Sequence, residues 1–526
     1  AHGGLSSRGV SYWSDGAGEE RIVVATGSLQ LFTLDPQTGE LLRDFGEDGY
    51  VDLMQGLGRE VTRRNYNMKS PPTMCGDTIV LGSIVNDLGF TQEMPPGHVR
   101  GYDVRTGEMK WIFHTIPQSG ELGIESWENQ SWQYTGNTNV WSWMSCDEEL
   151  GYVYLPIGTP SDDWFGGHRL GDNLFAESLV AVDADTGERI WHFQAVHHGV
   201  WDYDFPTAPN LVDIIVDGEP IKAVAQVSKQ AFTYVFNRET GEPVWPIVER
   251  PVPQSTVPGE RLSPTQPFPT KPPPFDRQGV TLDDLIDFTP ELRQEALAIV
   301  EDFAFGPLFT PPILAGHDGK EGVIQLPGLI GGANWPGGSV DPETGYIFIQ
   351  SATYPWVNAL EAPDPEESDL SYRFENWTRV PPGPQGLPLF KPPYARLTAI
   401  DLNRGEIVWQ IPLGDGPREK VNELIGDGTD VGPLGWEAQA AVNGNSPLVT
   451  STLLFVNQGV SRQEDNPQLG VMRAFDKATG SLIWEQPIDT GPRGLPMTYL
   501  HEGKQYLVFG VGGGDSPGGL RAYALP

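Results

Sequence analysis

The densest cluster of polar and aromatic residues lies at residues 196–210, VHHGVWDYDFPTAPN. It contains two histidines and, two positions apart, Asp202 and Asp204. In extended backbone the side chains at i and i+2 share a face, so both carboxylates can face one cation. The same residues also suit a structural interpretation, in which the aspartates cap turns and the histidines are hydrogen-bonded core residues. This stretch alone leaves the two interpretations open.

A second group of candidates consists of single polar or aromatic residues within or beside apolar segments. Lys229 stands in AVAQVSKQAF, an otherwise apolar strand, and a buried lysine requires an anionic partner. The others are Arg8 in SSRGVSYW, Asp87 in LGSIVNDLGF, Trp141 in NTNVWSWMS and Thr159 in LPIGTPSDDW. Taken singly, none of them identifies an activity.

The elements that must position these residues are indicated by a recurring hairpin signature. An apolar strand is followed by Asp/Asn-x-x-(Thr)-Gly and then by a strand with Trp eight positions after the Asp or Asn. The five copies begin at Asp103, Asp183, Asn237, Asp401 and Asp476, and a weaker copy at Asp35 lacks the Trp. The Asp caps the turn, the Gly supplies a positive φ, and the Trp docks on the neighbouring sheet. Irregular spacings suit four-stranded blades with variable loops, so the repeats predict a β-propeller rather than a β-sandwich with coincidental hairpins.

Residues 246–312 lack this hairpin repeat. Their first part, ERPVPQSTVPGERLSPTQPFPTKPPPF, is too rich in proline to be a central strand. Their second part predicts a short helix with Thr289 as N-cap and Pro290 at the first helical position. Leu292, Leu297 and Val300 would form its apolar face. We interpret the segment as an insertion at the rim, and packing over a blade edge is favoured over contact with a substrate.

Composition excludes several classes of protein. With 34 Lys and Arg against 70 Asp and Glu, the formal charge is −36, which disfavours nucleic acid and a basic membrane-binding patch. The 63 Gly and 48 Pro suit many turns, and 16 Trp, 22 Phe and 16 Tyr exclude a disordered chain. Two cysteines, Cys75 and Cys146, exclude a disulfide framework. One bridge between them remains open, with two separate buried thiols favoured.

An ordered series of motifs covers essentially the whole chain. They are RGVSYW, SPPTM followed by GSIVND, VRGYDVRTGEMKW, YLPIGTP, VHHGVWDYD, SPTQPFPTKP, LFTPP, NWPGGSVDPETG and PMTYLHEGKQYLVFGVGGG. In these motifs the chain resembles the pyrroloquinoline-quinone (PQQ) dependent alcohol and sugar dehydrogenases, most closely the membrane glucose/quinate dehydrogenase branch. The resemblance implies an all-β, eight-bladed propeller of the quinoprotein type, with residues 1–526 as one catalytic domain and residues 246–312 inserted in it.

The resemblance also implies roles for single residues. Asp202 corresponds to the catalytic base, and Lys229 to the cation that hydrogen-bonds the quinone carbonyls. The proposed cofactor contacts are the floor Trp141, Arg8 at a PQQ carboxylate, Lys229, and the looser matches Ser70, Asn334 and Trp335. PQQ is a planar trianionic quinone, so an aromatic face and cations at its edge suit it.

The metal set implied by the resemblance is Asp87, Thr159, Asp202 and Asp204. Thr159 stands where the methanol-oxidising branch has an Asn ligand, which puts its role as a ligand in doubt. Oxygen ligands suit Ca²⁺ or Mg²⁺. Asp204 follows the base by two positions, as in lanthanide-using alcohol dehydrogenases, but the glucose branch has Asp there too, so Ca²⁺ is favoured over a lanthanide.

The resemblance predicts a periplasmic enzyme that oxidises an alcohol, sugar or polyol and passes electrons to ubiquinone or a cytochrome c. The acidic chain disfavours an anionic substrate such as quinate. Relatives carry further residues before the segment that matches Arg8, so we expect the chain to be a fragment, incomplete in its first blade, rather than a ring that closes differently. Membrane association would come only through that missing segment. The alternatives are a non-enzymatic periplasmic propeller scaffold and an inactive truncated quinoprotein.

Overall fold

The computed structural model describes residues 8–87, 91–375, 379–426, 428–435, 447–459, 470–488, 491–513 and 516–525. These residues form seven antiparallel sheets that follow one another along the chain, and each is named here as a blade. Blade 1 consists of Ser11–Ser14, Glu20–Ala25, Gln30–Leu34 and Val51–Asp52, and blade 2 of Thr73–Cys75, Thr78–Leu81, Val99–Asp103 and Met109–Phe113. Blade 3 consists of Ser145–Asp147, Tyr152–Pro156, Ser178–Asp183 and Arg189–Gln194, and blade 4 of Asn210–Val216, Glu219–Val227 and Thr233–Asn237. Blade 5 consists of Gly338–Asp341, Tyr346–Ala352, Ala395–Asp401 and Glu406–Pro412, and blade 6 of Leu448–Val449, Leu453–Gly459, Gly470–Asp476 and Leu482–Ile488. Blade 7 consists of Pro492–His501, Lys504–Gly513 and Ser516–Ala524.

Smaller elements connect the blades. The strand pairs are Tyr66–Asn67 with Ile84–Val85 and Ile247–Pro251 with Thr265–Pro269, and a mixed sheet contains Ala304–Phe305, Ile313–Leu314, Val323–Gln325, Trp356–Glu361 and Arg373–Phe374. The α-helices are Pro290–Val300 and Arg418–Ile425, and the 3₁₀ helices are Ile124–Ser126, Glu128–Gln133, Leu282–Asp284, His317–Gly319 and Pro384–Gly386. No helix among these is long and apolar enough to cross a bilayer.

The first strands of the blades contact one another in chain order, from blade 1 through to blade 7. The core therefore lies between neighbouring blades: Tyr154 and Leu179 of blade 3, for example, share a buried cluster with Val224 and Tyr234 of blade 4. This arrangement confirms the predicted all-β propeller. The predicted count of eight blades is not confirmed, because the described residues supply strands for seven, and the proline-rich segment forms a separate hairpin instead of a blade.

Each predicted repeat turn follows the third strand of a blade, in blades 1 to 6. The indole of Trp111 in blade 2 crosses to blade 3, where its Nε1 donates to the Ala184 carbonyl at 2.9 Å. A Cβ added to Gly187, the turn glycine of blade 3, would lie 2.6 Å from this indole. The same pairing of a Trp with the next repeat's Gly occurs at Trp191 and Gly241, Trp245 and Gly405, and Trp409 and Gly480. The signature thus encodes the junction between blades, as predicted.

The helix predicted inside residues 246–312 is present as Pro290–Val300. The Thr289 side chain accepts a hydrogen bond from the Leu292 amide at 3.2 Å, and Leu292, Ala296 and Val300 are buried. The whole segment lies between the last strand of blade 4 and the first strand of blade 5. The division of the chain into one propeller domain with this insertion remains a prediction.

Cys75 and Cys146 form a disulfide, so the favoured prediction of two separate thiols is wrong. Cys75 ends the first strand of blade 2, and Cys146 lies in the first strand of blade 3. Because these strands are neighbours in the ring, the two Cα atoms lie 5.5 Å apart, within bridging range. The bridge ties together the two blades that carry Ser70 and Trp141.

Candidate active site

The sequence-predicted residues gather at one end of blades 1 to 5. The residues that come shortly before the first strand of a blade are Arg8 for blade 1, Ser70 for blade 2, Trp141 for blade 3, Asp202 and Asp204 for blade 4, and Asn334 and Trp335 for blade 5. Thr159 and Lys229 come just after the second strands of blades 3 and 4. In an antiparallel pair, the start of the first strand and the end of the second lie side by side. The topology therefore places these residues on one face of the propeller.

Lys229 lies between two carboxylates at the centre of this face. Its Nζ is 2.7 Å from Asp202 Oδ1 and 2.7 Å from Asp204 Oδ2, and the lysine is only 4% exposed. Burial lowers the pKa of Lys229, but the two carboxylates outweigh this effect and raise it above its ordinary value. The sequence predicts an anionic partner for this lysine, and the structure shows two, Asp202 and Asp204.

Asp204 connects several of the predicted residues. Its Oδ2 accepts a hydrogen bond from Trp141 Nε1 at 3.1 Å, and its Oδ1 accepts from the Thr159 amide at 2.7 Å. Burial opposes ionisation of Asp204, but Lys229 and the donors of Thr159 hold its pKa below the ordinary value. Burial raises the pKa of Asp202 well above its ordinary value, against the opposite effect of Lys229. The two carboxylates thus differ in environment.

Arg8, Trp141 and Trp335 form an aromatic slot beside the carboxylates. The guanidinium carbon of Arg8 lies 4.5 Å from the ring centroid of Trp335 and 5.3 Å from that of Trp141. Arg8 Nη1 also donates to Ser70 Oγ at 3.1 Å and to the Trp141 carbonyl at 3.0 Å. Burial lowers the pKa of Arg8 to about 10. Asn334 bonds within its own loop, where its Oδ1 accepts a hydrogen bond from the Trp335 amide at 2.7 Å. This bond helps to fix the position of Trp335.

Asp87 lies apart from the lysine-bridged pair. Its Oδ1 accepts a hydrogen bond from Asn137 Nδ2 at 3.0 Å. Asp87 is exposed to solvent, and partial desolvation together with the charge of Asp204 raises its pKa above the ordinary value. Among the residues that the structure describes, no three Asp, Glu, His or Cys side chains form a metal-ligand cluster. The predicted metal residues therefore lie in one region, but their carboxylates do not form a preformed metal-binding site.

Two buried acids in this region escaped the sequence analysis. Glu177 is fully buried beside Thr159, whose Oγ1 lies 3.3 Å from Glu177 Oε1, and burial together with Asp204 raises the pKa of Glu177 to about 8. Burial raises the pKa of Asp163 well above its ordinary value, and charges that include Asp204 add to the effect. Glu177 directly precedes the apolar strand Ser178–Asp183, so the rule that singled out Lys229, an isolated charge beside apolar residues, would have found it.

The backbone near the site adopts an unusual conformation at several residues other than glycine. Positive φ values occur at Asn137 (57°), Thr138 (54°), Glu177 (48°), His198 (50°) and Asp202 (55°). Such conformations are uncommon outside glycine and occur most often where a site holds the chain in a fixed geometry. Their concentration here supports a functional role for this face.

Buried contacts fix the loop that carries the two aspartates. Trp201 Nε1 donates to the Thr310 carbonyl at 3.0 Å, and the Tyr203 hydroxyl donates to the Pro327 carbonyl at 2.8 Å. His198 pairs with Glu260 of the 246–312 segment at 2.7 Å, and both side chains are buried. This histidine therefore fits the structural interpretation, while Asp202 and Asp204 lie beside Lys229. Residues 246–312 therefore pack against the loop that carries Asp202 and Asp204 and stabilise it.

Comparisons with known proteins identify the family of the chain. Residues 1–507 match the PQQ family described as "Glucose/ethanol/alcohol dehydrogenase, beta-propeller domain". The quinate/shikimate dehydrogenase (quinone) of Acinetobacter baylyi is 30% identical over 96% of this chain and 63% of its own length. The quinoprotein glucose dehydrogenase of Escherichia coli is 29% identical over 99% of this chain and 67% of its own length. The chain spans about 63% of the length of the first of these relatives.

Solved structures show the same fold. The quinohemoprotein alcohol dehydrogenase from Comamonas testosteroni superimposes with a TM-score of 0.64 at 21% identity, over 97% of this chain and 64% of that one. A europium-containing methanol dehydrogenase gives a TM-score of 0.61 at 20% identity, over 95% of this chain and 72% of that one. With a family match over nearly its whole length and the propeller fold of these enzymes, the chain belongs to the PQQ-dependent quinoprotein dehydrogenases.

Proposed function

We propose that this propeller oxidises a primary or secondary alcohol, of the sugar or polyol type, with PQQ and a metal ion as cofactors. The observation that carries the proposal is the position of Lys229, buried between Asp202 and Asp204 and 5.9 Å from the ring centroid of Trp141. A proton acceptor, a cation and a flat aromatic surface thus lie within contact of one another. A scaffold has no need to bury such a set.

The slot between Trp141 and Trp335 fits a flat, anionic group. In this structure it holds the planar guanidinium of Arg8, which is itself a flat group against both indoles. A quinone ring would replace the guanidinium on the Trp141 face, and Arg8 would then be free to pair with a carboxylate at the edge of the cofactor. Ser70 and Asn334 would hold the two walls of the slot, since Ser70 Oγ donates to the Trp141 carbonyl at 2.7 Å and Asn334 Oδ1 accepts from the Trp335 amide.

The donors beside the slot fit a hard cation. Asp202, Asp204, Asp87 and Thr159 offer oxygen atoms, which Ca²⁺ and other hard ions prefer. The Oδ1 atom of Asn137 is buried without a hydrogen-bond partner, next to Asp87. Asp202 and Asp204 share the one ammonium group of Lys229, and the charges of Asp87 and Asp204 act on each other, so a cation would offset excess negative charge in this region. We therefore assign these residues to the cation, with Ca²⁺ as the first candidate.

PQQ held against Trp141 and Arg8 would supply a hydride acceptor for the alcohol, and a cation held by the carboxylates would supply Lewis-acid chemistry. Asp202 takes the proton of the substrate hydroxyl, for which it must be ionised. Lys229 keeps that carboxylate in place at 2.7 Å, and the one proton that it does not share with Asp202 and Asp204 is available to developing negative charge. Asp204 anchors Lys229 from the other side and holds the indole of Trp141.

The family assignment also supports a proposal for the compartment and the electron acceptor of the enzyme. We propose that the chain works in the periplasm and passes electrons to ubiquinone or a cytochrome c. The formal charge of −36 disfavours an anionic substrate, which favours neutral sugars and polyols over quinate.

Reconstitution tests this function directly. The chain is titrated with PQQ in the presence of Ca²⁺, Mg²⁺ or a lanthanide, and cofactor absorbance and dye-linked turnover are followed with sugars, polyols and simple alcohols. We expect PQQ binding by wild type and by Asp202→Asn, with turnover lost only in Asp202→Asn. The matched control is Asp217→Asn, an exposed aspartate in the turn at the opposite end of blade 4. Absence of PQQ binding with every cation would instead support a scaffold or an inactive truncated quinoprotein.

A further inference from the structure

We propose that Glu177 is an additional ligand of the metal ion, on the Thr159 side of Asp204, and that its carboxylate biases the site towards a trivalent cation. The inference rests on the proposed function and deepens it, since it concerns the identity of the metal. Glu177 is not among the residues that the family resemblance assigned to the cation.

The first observation is an unsatisfied carboxylate. Glu177 is fully buried; its carboxylate interacts with the Thr159 hydroxyl and the Tyr203 backbone amide, and its Oε2 atom makes no well-formed hydrogen bond. A buried carboxylate oxygen without a partner is costly, so such an atom usually marks the place of a missing partner. Since Glu177 faces Thr159 and the charge of Asp204 acts on it, the missing partner belongs to the region of the site itself.

The second observation is a shortage of protons at Thr159. Its Oγ1 lies 3.1 Å from Asp204 Oδ1 and 3.3 Å from Glu177 Oε1. When Glu177 is ionised, the hydroxyl has one proton for two carboxylates, so it can donate to only one of them. A cation bound by the hydroxyl oxygen and both carboxylates would satisfy all three groups, because each of them offers lone pairs.

The third observation is that the backbone leaves room for these carboxylates. A Cβ at Gly199 would lie 1.8 Å from Glu177 Oε2, and a Cβ at Gly158 would lie 2.6 Å from Asp204 Oδ1. Any side chain at these two positions would displace the acids. The nearby Arg169 uses its terminal nitrogens on Asn173 and on two backbone carbonyls, one of which is that of Gly199.

The charge of the site determines whether Glu177 favours a divalent or a trivalent cation. Glu177 adds a fourth carboxylate to the proposed set of Asp87, Asp202 and Asp204, while the buried cations of the region are Lys229 and, beside Glu177, Arg169. Coulomb energy scales with the charge of the ion, so one carboxylate contributes about 1.5 times more to binding a trivalent than a divalent cation. Glu177 therefore matters more for a lanthanide than for Ca²⁺.

The test measures cation affinity by calorimetry in the presence of saturating PQQ, with Tb³⁺ and Ca²⁺ as probes. We expect Glu177→Gln to weaken Tb³⁺ binding on the order of 100-fold and Ca²⁺ binding about 20-fold, in line with the charge scaling. The matched control, Asp162→Asn, changes a nearby acid whose Oδ1 accepts from the Trp164 amide, and it should leave both affinities within about twofold. Asp204→Asn serves as a reference for a lost ligand.

Each outcome separates this inference from the function on which it rests. If wild type binds PQQ and a cation, and Asp204→Asn weakens the cation while Glu177→Gln does not, the role of Glu177 is overturned and the function stands. If wild type binds neither PQQ nor a cation, both are overturned. Should Glu177→Gln fail to fold, as judged by thermal unfolding without cation, Glu177→Asp replaces it. That variant keeps the charge but shortens its reach, so unchanged affinities would equally overturn the proposal.

Discussion

The indole of Trp141 donates its Nε1 proton to Asp204 Oδ2 at 3.1 Å, so the flat surface and the carboxylate pair of the site are joined by one hydrogen bond. Trp141 precedes the first strand of blade 3, whereas Asp204 precedes that of blade 4. The bond therefore also crosses the junction between the two blades. The stacking surface for the cofactor and the ligands for its metal are set relative to each other by the packing of these blades.

Substitution of Trp141 separates the two roles of the indole. Trp141→Phe keeps an aromatic face but removes the donor to Asp204, which should cost about 1 kcal/mol, or roughly a fivefold loss of cation affinity. Trp141→Ala removes both, so PQQ binding should also be lost. Parallel titrations of PQQ and Ca²⁺ measure the two effects. Equal loss of PQQ binding in both variants would show that the hydrogen bond, and not the stacking face, holds the cofactor.

Removal of the Lys229 charge should damage both stability and activity. Lys229→Met leaves Asp202 and Asp204 buried without their common partner, which should lower the free energy of unfolding by about 3–5 kcal/mol. Turnover should fall by roughly 10²–10³ because a donor to developing charge is lost. Chemical denaturation and steady-state kinetics measure these effects. Lys222→Met, which breaks an exposed pair with Glu149, should change stability by less than about 0.5 kcal/mol.

The pH dependence of stability should reveal Glu177. Its pKa is raised from 4.5 to about 8 in the folded protein, so the folded state holds this proton more tightly than the unfolded state. The resulting stabilisation is complete below about pH 4.5 and is lost as the pH rises towards 8. Without cation, the Tm of wild type should therefore fall between these values more steeply than that of Glu177→Gln. Calorimetric scans at a series of pH values measure this difference, and parallel curves for the two proteins would contradict it.

The disulfide should contribute substantially to stability. It joins residues 71 positions apart, and a loop of that length corresponds to about 4 kcal/mol in the chain-entropy description. The double substitution Cys75→Ser with Cys146→Ser should lower the free energy of unfolding by that amount. Denaturation of the variant and of the reduced wild type should give the same midpoint. A difference between the two would mean that the substitutions disturb the packing of blades 2 and 3 by themselves.

The sequence predicted those parts of the molecule that local rules determine. The turn and tryptophan repeats predicted the hairpins of blades 2 to 6, and the buried position of Lys229 predicted acidic partners. The pairing of Cys75 with Cys146 could not be predicted in this way, because it depends on which first strands become neighbours in the ring. The number of blades likewise depends on the long segments between repeats. Glu177 lies outside these motifs, and its burial depends on the packing of its loop against residues distant in sequence, such as Gly199.

The contact between the tryptophan of one repeat and the glycine of the next has a direction along the chain. Trp111 of blade 2 covers Gly187 of blade 3, and Trp191 of blade 3 covers Gly241 of blade 4. The four junctions from blade 2 to blade 6 share these two complementary halves, so one local contact, repeated along the chain, sets the neighbours of these blades. Blades 2 to 5 also carry site residues before their first strands. The same contact therefore fixes the spacing between those residues.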